Sequence, residues 1–303
     1  MDGVHLWPAS RHWRDPLSAS APGRVLSDGQ HLRARVVGEG SPIVFLHGLG
    51  ASLRYWGRSY DVLAARHRLV FFDLLGFGGS PKPSGSYDTA QHCRALVSAF
   101  EHFGIARADV VAHSAGALIG IALATDAPSL VDHVIGFGAP LFASQGAARE
   151  RLHALGPLAR LMADDSPRAA QLCAFMCEHR ELARRLAPIF APRLPAAVAA
   201  DGVDHVWESY KGTFDLIARQ PETRHRISAL GDRLTLVYGR DDRIGSNGEV
   251  NSVLLGAPDV RRITLPIGDH HLPLRYPARC REIVRTCVGG EPQASPGGRP
   301  IGQ

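Results

Sequence analysis

The sequence contains no run of 18 apolar residues, which is about the length that a membrane-spanning helix needs. Its first 24 residues include Trp7, Trp13 and several charges, but no continuous apolar stretch of signal-peptide length. We therefore expect a protein without a membrane span that stays in the cytoplasm.

Lysine is almost absent, because only Lys82 and Lys211 occur, and the net charge of +5 comes from dispersed arginines. Proteins that bind nucleic acid gather basic residues into patches, often interleaved with aromatic residues. No run of five like charges interleaved with aromatic residues occurs in this chain. The composition therefore predicts that nucleic acid is not a partner.

Cysteine is also scarce, and the five residues form no even set of the kind that a disulfide framework needs. Cys173 and Cys177 lie one helical turn apart near His179, but no further residues at metal-ligand spacing accompany them. Buried, reduced thiols are the favoured interpretation, and the sequence predicts neither a metal site nor a cofactor.

The chain is instead rich in short apolar segments that alternate with helical patterns. Helices are expected over Tyr55–Arg66 and Thr89–Phe103, and a buried helix follows Ser114. Strand–helix alternation requires crossover connections, so we predict an α/β fold with a mostly parallel sheet and helices on both faces. The predicted strands are 31–37, 43–46, 68–73, 109–112, 131–137, 233–239 and 260–265.

The alternation stops after Pro140 and resumes near Gly231, with about 90 residues of charged, proline-punctuated helical sequence between them. We interpret residues 141–230 as a helical lid, or cap, inserted into a core formed by 25–140 and 231–288. Its helices are expected over Ala147–Met162, Pro167–Ile189 and Val203–Ala218. The remaining segments are an irregular amino-terminal segment, 1–24, and a Gly- and Pro-rich tail, 289–303, which is expected to be disordered.

The segment from Val110 to Gly116 is typical of a nucleophile elbow, in which a strand runs into a sharp turn and then a helix. The turn strains the serine backbone, so small residues must lie two positions before and after it, and these are Ala112 and Gly116. The sequence therefore predicts Ser114 as a nucleophile.

A serine hydroxyl needs a neutral imidazole as base and a carboxylate that fixes the imidazole tautomer. In this topology both groups should follow the serine, at the carboxyl ends of later strands. Asp242 is the expected acid, with Asp241 as the alternative, because both follow the predicted strand ending at Gly239. His270 and His271 follow the next predicted strand, and chain order alone leaves the choice between them open.

Acyl transfer also needs two donors for the oxyanion that develops on the substrate. The backbone N–H of Ala115, at the start of the elbow helix, is one expected donor. Leu49 is the other, because Gly48 and Gly50 let the backbone after the first buried strand approach a substrate closely.

With these segments the chain resembles the α/β-hydrolase superfamily, specifically its lid-bearing, esterase-like branch of serine hydrolases. The resemblance covers most of residues 30 to 288 and implies that Asp242 is the acid and that His271, which precedes x-Pro, is the base. The glycine that commonly precedes this histidine is replaced by His270. The resembling segments are His47–Gly50, Asp73–Ser80, Ala112–Gly116, Gly239–Asp242 and His271–Pro273.

The resemblance alone does not fix the reaction. A serine nucleophile with a complete set of acid, base and oxyanion donors favours a carboxylesterase-like enzyme that cleaves an ester, thioester or lactone of a small hydrophobic molecule through an acyl-serine intermediate. Serine at position 114 argues against epoxide hydrolases and haloalkane dehalogenases, which use aspartate there. An acyltransferase or a cyclase would share every motif, and a non-hydrolytic small-ligand binding protein is the alternative from another class. A small-molecule ester substrate is the expected partner, and a homodimer is a further expectation because lids of this family often take part in dimer contacts.

Overall fold

A computed structural model describes residues 13–156, 160–161, 166–219, 222–245 and 247–288. Residues 1–12 of the predicted amino-terminal segment and the whole predicted tail, 289–303, lie outside these residues. The described residues form one eight-stranded sheet in the order β1-β2-β4-β3-β5-β6-β7-β8. Its strands are Arg24–Leu26, Ala34–Val37, Ser41–Leu46, His67–Phe72, Ala108–His113, Val131–Phe137, Leu234–Gly239 and Arg261–Leu265, numbered β1 to β8 in chain order.

The sheet is parallel except at one edge, where β1 pairs with β2 and β2 with β4 in antiparallel register. The sequence did not predict β1, which has three residues and is mostly exposed. Elsewhere Phe45 lies beside Val111, and Val111 beside Ile135, in parallel register. The predicted mostly parallel sheet is therefore confirmed.

Helices cover both faces of this sheet. They are Thr89–His102 (α1), Ala115–Asp126 (α2), Gln145–Ala154 (α3), Pro167–Glu178 (α4), Arg180–Phe190 (α5), Ala196–Asp201 (α6), Trp207–Arg219 (α7), Thr223–Leu230 (α8), Asn247–Leu254 (α9), Leu272–Arg275 (α10) and Pro277–Cys287 (α11). Alternate residues of each central strand face opposite ways. Val44 and Val110 therefore belong to one apolar core, and Phe45 and Val111 to the other.

The predicted helix over Tyr55–Arg66 is wrong. Two short 3₁₀ helices, Leu53–Trp56 and Asp61–Ala65, replace it. Gly57 separates them with a φ of +59°, and a Cβ at this position would lie 2.7 Å from the Trp13 ring. A left-handed glycine in close contact with another segment ends the first helix.

Helices α3 to α8 lie in the described part of the cap segment, residues 141–230. The single helix predicted over Pro167–Ile189 is divided at His179, which ends α4 and precedes α5. The last helix, α8, packs on α2, and its Ile227 and Leu230 are buried in the same apolar core as the α2 residues. The division of the chain into core and lid remains a prediction.

Candidate active site

Ser114 lies at the carboxyl end of β5, directly before α2, with a φ of +53°. This backbone conformation costs a residue other than glycine about 1–3 kcal/mol, and such strain is concentrated at functional sites. A Cβ at Gly116 would lie 2.3 Å from the His47 carbonyl oxygen, and one at Gly48 would lie 2.9 Å from the Ser114 Cβ. Close backbone packing therefore holds the turn and explains the small residues around it.

The Ser114 hydroxyl is hydrogen-bonded to His270. The Ser114 Oγ is 3.0 Å from the His270 Nε2. On the other side of the ring, Nδ1 lies 3.2 Å from both carboxylate oxygens of Asp242. The three side chains form a continuous chain from hydroxyl through imidazole to carboxylate, which is the arrangement that activates a serine.

The Asp242 carboxylate is held by more than the histidine. Its Oδ1 accepts hydrogen bonds from the backbone N–H of Ile244 at 2.9 Å and of Gly245 at 3.0 Å. Burial opposes the charged form, but the attraction to His270 and these hydrogen bonds outweigh it and lower the pKa of Asp242. Asp241, the alternative acid, is exposed instead and pairs with Arg240 at 3.5 Å.

The prediction that His271 is the base is corrected, because the structure places His270 in that position. The His271 backbone N–H donates to the Asp269 side chain at 3.0 Å, and His271 immediately precedes α10. Its ring packs near Tyr55, and burial lowers its pKa to about 3. The resemblance aligned the histidine through the following proline, although the sequence also offered His270 two places after Gly268.

His113 fixes the loop that carries His270. The His270 carbonyl accepts a hydrogen bond from the His113 Nε2 at 2.8 Å, and the His113 ring stacks on Tyr55 at 4.4 Å. Burial lowers the pKa of His113 well below its usual range. The ring is therefore neutral and carries its proton on Nε2. The role of His113 could not be predicted from the sequence, because the residue between Ala112 and Ser114 has no required identity in the motif.

The loop after β3 is held in a similar way by His47. Its Nδ1 donates to the Gly48 carbonyl at 2.8 Å, and its Nε2 accepts from the Leu74 N–H at 2.9 Å. The Gly48–Leu49 peptide plane is fixed by this bond, so the Leu49 N–H points away from His47. The Ala115 N–H lies in the first turn of α2 and has no acceptor within the helix. Ala115 thus follows Ser114 directly at the start of α2, and Leu49 lies on the loop after β3, which packs against Ser114 at Gly48.

Comparison with known proteins gives the family. Residues 41–274 match the family described as alpha/beta hydrolase fold. A putative carbamate hydrolase RutD of Klebsiella pneumoniae is 30% identical over 244 residues, which cover 76% of this chain and 85% of that protein. The chain belongs to the α/β-hydrolase family. The predicted superfamily is therefore confirmed.

Two further comparisons are more limited, one in the length of the match and the other in sequence identity. An uncharacterized protein of Mycobacterium tuberculosis is 33% identical over 101 residues, but the match covers only 33% of this chain and 30% of that protein. The crystal structure of E-2-(acetamidomethylene)succinate hydrolase superposes with a TM-score of 0.69 at 15% identity, covering 88% of this chain and all of that one. This structural likeness shows that the two chains share a fold.

A cavity of about 260 Å³ opens beside Ser114. One wall comes from the cap segment, where Tyr210, Phe214 and Ile217 share one face of α7. Among the described residues that line the cavity there is no Asp, Glu, Lys or Arg. Its other lining residues are Gly48, Leu49, Gly50, Ala51, Tyr55, His113, Leu152, Leu155, Leu194, Val198, Ile244, His270 and His271.

Four buried histidines have lowered pKa values because burial disfavours the charged ring. They are His47, His92, His113 and His205. The pKa is about 4 for both His92 and His205. Below about pH 6.5 the unfolded chain binds protons at these positions, whereas the folded chain does not until the pH is lower. We therefore expect the free energy of unfolding to fall as the pH falls from about 6.5 to about 4.

Thermal unfolding of the protein at a series of pH values between about 5 and 7.5 measures this effect. Asp109 and Asp201 oppose it, because burial raises the pKa of both carboxyl groups, that of Asp109 to about 7, and the folded state then binds protons that the unfolded state lacks. The four histidines outnumber these two carboxyl groups, so the net direction is loss of stability in acid. The His92→Gln variant removes one titrating ring and should lose less Tm over the same interval. A Tm that rises on acidification would contradict the prediction.

Proposed function

We propose that the protein is a serine hydrolase that cleaves a carboxylic ester, thioester or lactone through an acyl-serine intermediate. The observation that carries the proposal is the hydrogen-bonded series of Ser114, His270 and Asp242 at a strained turn. No structural role requires a buried serine at positive φ to meet an imidazole whose other nitrogen meets a buried carboxylate. Catalysis at Ser114 requires all three features.

The proposed reaction begins when Ser114 Oγ attacks the substrate carbonyl carbon and His270 Nε2 takes the hydroxyl proton. Asp242 stabilises the imidazolium that forms and holds the ring with Nδ1 protonated. The negative charge moves to the carbonyl oxygen, where the N–H groups of Leu49 and Ala115 donate to it. His270 then protonates the leaving alcohol or thiol, and water releases the acid by the reverse sequence.

The cavity supports an apolar, uncharged substrate. Aliphatic and aromatic side chains form most of its surface, and no charged side chain among the described lining residues would pair with an ionic group. Burying an unpaired charge there would be strongly unfavourable. A small hydrophobic ester therefore fits better than an ester with a charged acyl group.

Reaction with a fluorophosphonate tests the proposal directly. We expect a single adduct on Ser114, located by peptide mass spectrometry, and hydrolysis of p-nitrophenyl esters with a preference for neutral acyl chains. The Ser114→Ala variant should lose labelling and reduce kcat by at least ~10³-fold, because the remaining groups cannot form the acyl-enzyme. It should keep the wild-type fold.

A folded protein that neither reacts with the fluorophosphonate nor hydrolyses any ester in the series would contradict the proposed function. A p-nitrophenyl carbamate belongs in the same series, because a relative at 30% identity is a putative carbamate hydrolase. Carbamate turnover that exceeds ester turnover would change the substrate class while leaving the roles of Ser114 and His270 in place.

A further inference from the structure

Helix α5 of the cap segment turns its apolar side to solvent. Leu182, Leu186, Ile189 and Phe190 lie on one face, and their exposed fractions are 51%, 40%, 70% and 81%. They lie four, three and one residues apart, which places them along one side of an α-helix. We call these four residues the α5 stripe. An amphipathic helix on a core normally has the opposite orientation, with its leucines buried.

Ion pairs on the other side of α5 explain this orientation. Arg184 pairs with Asp201 at 3.4 Å and with Asp204, and Arg180 pairs with Asp204 at 3.5 Å. Asp201 is buried, and it also accepts a hydrogen bond from the Ser52 Oγ at 2.7 Å. Rotating α5 to bury the leucines would break all three of these ion pairs, although Asp201 would keep Arg54 at 3.0 Å. The exposed stripe is therefore a fixed feature of the fold.

The chain that follows the α5 stripe leads to the wall of the catalytic cavity. Leu194 lies four residues after Phe190, beyond a tight turn, and lines the cavity. Leu155 also lines the cavity and is 40% exposed. On the neighbouring helix α4, Phe175 adds a further exposed ring. The end of the α5 stripe is therefore four residues from a side chain that lines the cavity beside Ser114.

Basic side chains border the α5 stripe. Arg185 and Arg193 are exposed, and neither forms an ion pair with another residue in the described part of the chain. Glu181 is the acidic residue within α5 and is also exposed. Apolar residues on one face with arginines on its margins are characteristic of helices that lie in a lipid interface, where the guanidinium groups meet anionic headgroups.

We propose that the α5 stripe docks on a lipid surface that carries anionic headgroups, with the helix lying in the plane of the interface. The catalytic cavity then opens beside the lipid, and apolar esters enter it from there. This last consequence rests on the proposed function, whereas the docking does not. A second copy is the less suitable occupant, because a helix about 16 Å long offers less than the ~800 Å² per partner of a standard interface.

The test compares two variants in a vesicle flotation assay. Vesicles of phosphatidylcholine with one quarter phosphatidylglycerol serve as the probe, and pure phosphatidylcholine vesicles serve as the uncharged comparison. The Ile189→Asp/Phe190→Asp double variant should lower partitioning into the mixed vesicles at least tenfold. Leu255→Asp is the matched control, because Leu255 is 85% exposed at the end of α9, outside the cap segment. It should partition like the wild type.

Three results would overturn the proposal. The first is that the wild type floats with neither type of vesicle, and the second is that the double variant floats as well as the wild type. The third is that light scattering shows a dimer for the wild type and a monomer for the double variant. Thermal unfolding verifies that both variants are folded, and Phe190→Ser provides a milder change. Hydrolysis of a soluble ester, measured on the same wild-type preparation, separates this proposal from the proposed function. Flotation without hydrolysis contradicts only the proposed function, and hydrolysis without flotation contradicts only the lipid docking.

Discussion

Replacing His270 by alanine is expected to lower kcat/KM for a soluble ester by at least ~10³-fold, because the base that takes the Ser114 proton is lost. The matched variant is His271→Ala, at the next position in the chain. His271 lines the cavity but hydrogen-bonds neither Ser114 nor Asp242, so its loss should be less than about tenfold and should affect mainly KM. Initial rates measured over a range of substrate concentrations give kcat and KM separately for each variant.

The rate of fluorophosphonate labelling gives a second readout of the same pair. It depends on the activation of Ser114 and should therefore fall in His270→Ala and persist in His271→Ala. Thermal unfolding of both variants verifies that each is folded. If His271→Ala shows the larger loss in both measurements, the assignment of the base to His270 is wrong.

Replacing Asp242 by asparagine is expected to reduce kcat by roughly 10³- to 10⁴-fold. An asparagine Oδ1 can still accept from the N–H groups of Ile244 and Gly245, so the loop is retained. The asparagine NH₂ group, however, takes the place of the second carboxylate oxygen and donates a hydrogen bond to the His270 Nδ1. The ring would then carry its proton on Nε2, facing Ser114, where it cannot accept the hydroxyl proton.

Asp241→Asn is the matched control for this variant. Asp241 is adjacent in sequence, but its side chain is exposed and pairs with Arg240 at 3.5 Å. An isolated pair of this kind contributes little to stability, so both activity and Tm should remain close to those of the wild type. Equal losses in the two variants would show that the local loop, and not the contact of Asp242 with His270, limits the reaction.

The elbow could be predicted from the sequence because its causes are local. The strand before Ser114, the helix after it and the small residues at Ala112 and Gly116 are all required by one turn. The sheet could be predicted for a related reason, since buried parallel strands form continuous apolar runs such as Ile43–Leu46. The break at Gly57 could not, because it depends on contact with Trp13, 44 residues earlier in the sequence.

The sequence by itself determined the α/β class, the strand that carries Ser114 and the short list of residues from which its partners come. Only the tertiary structure decided between His270 and His271, because adjacent side chains in a loop point in different directions and this loop is held by His113 from another strand. The outward turn of α5 has the same kind of origin. Its amphipathic pattern is visible in the sequence, but the side that faces solvent is set by contacts with Asp201 and Asp204, and Asp201 is held in turn by Ser52. The sequence pattern does not show that these residues lie close together.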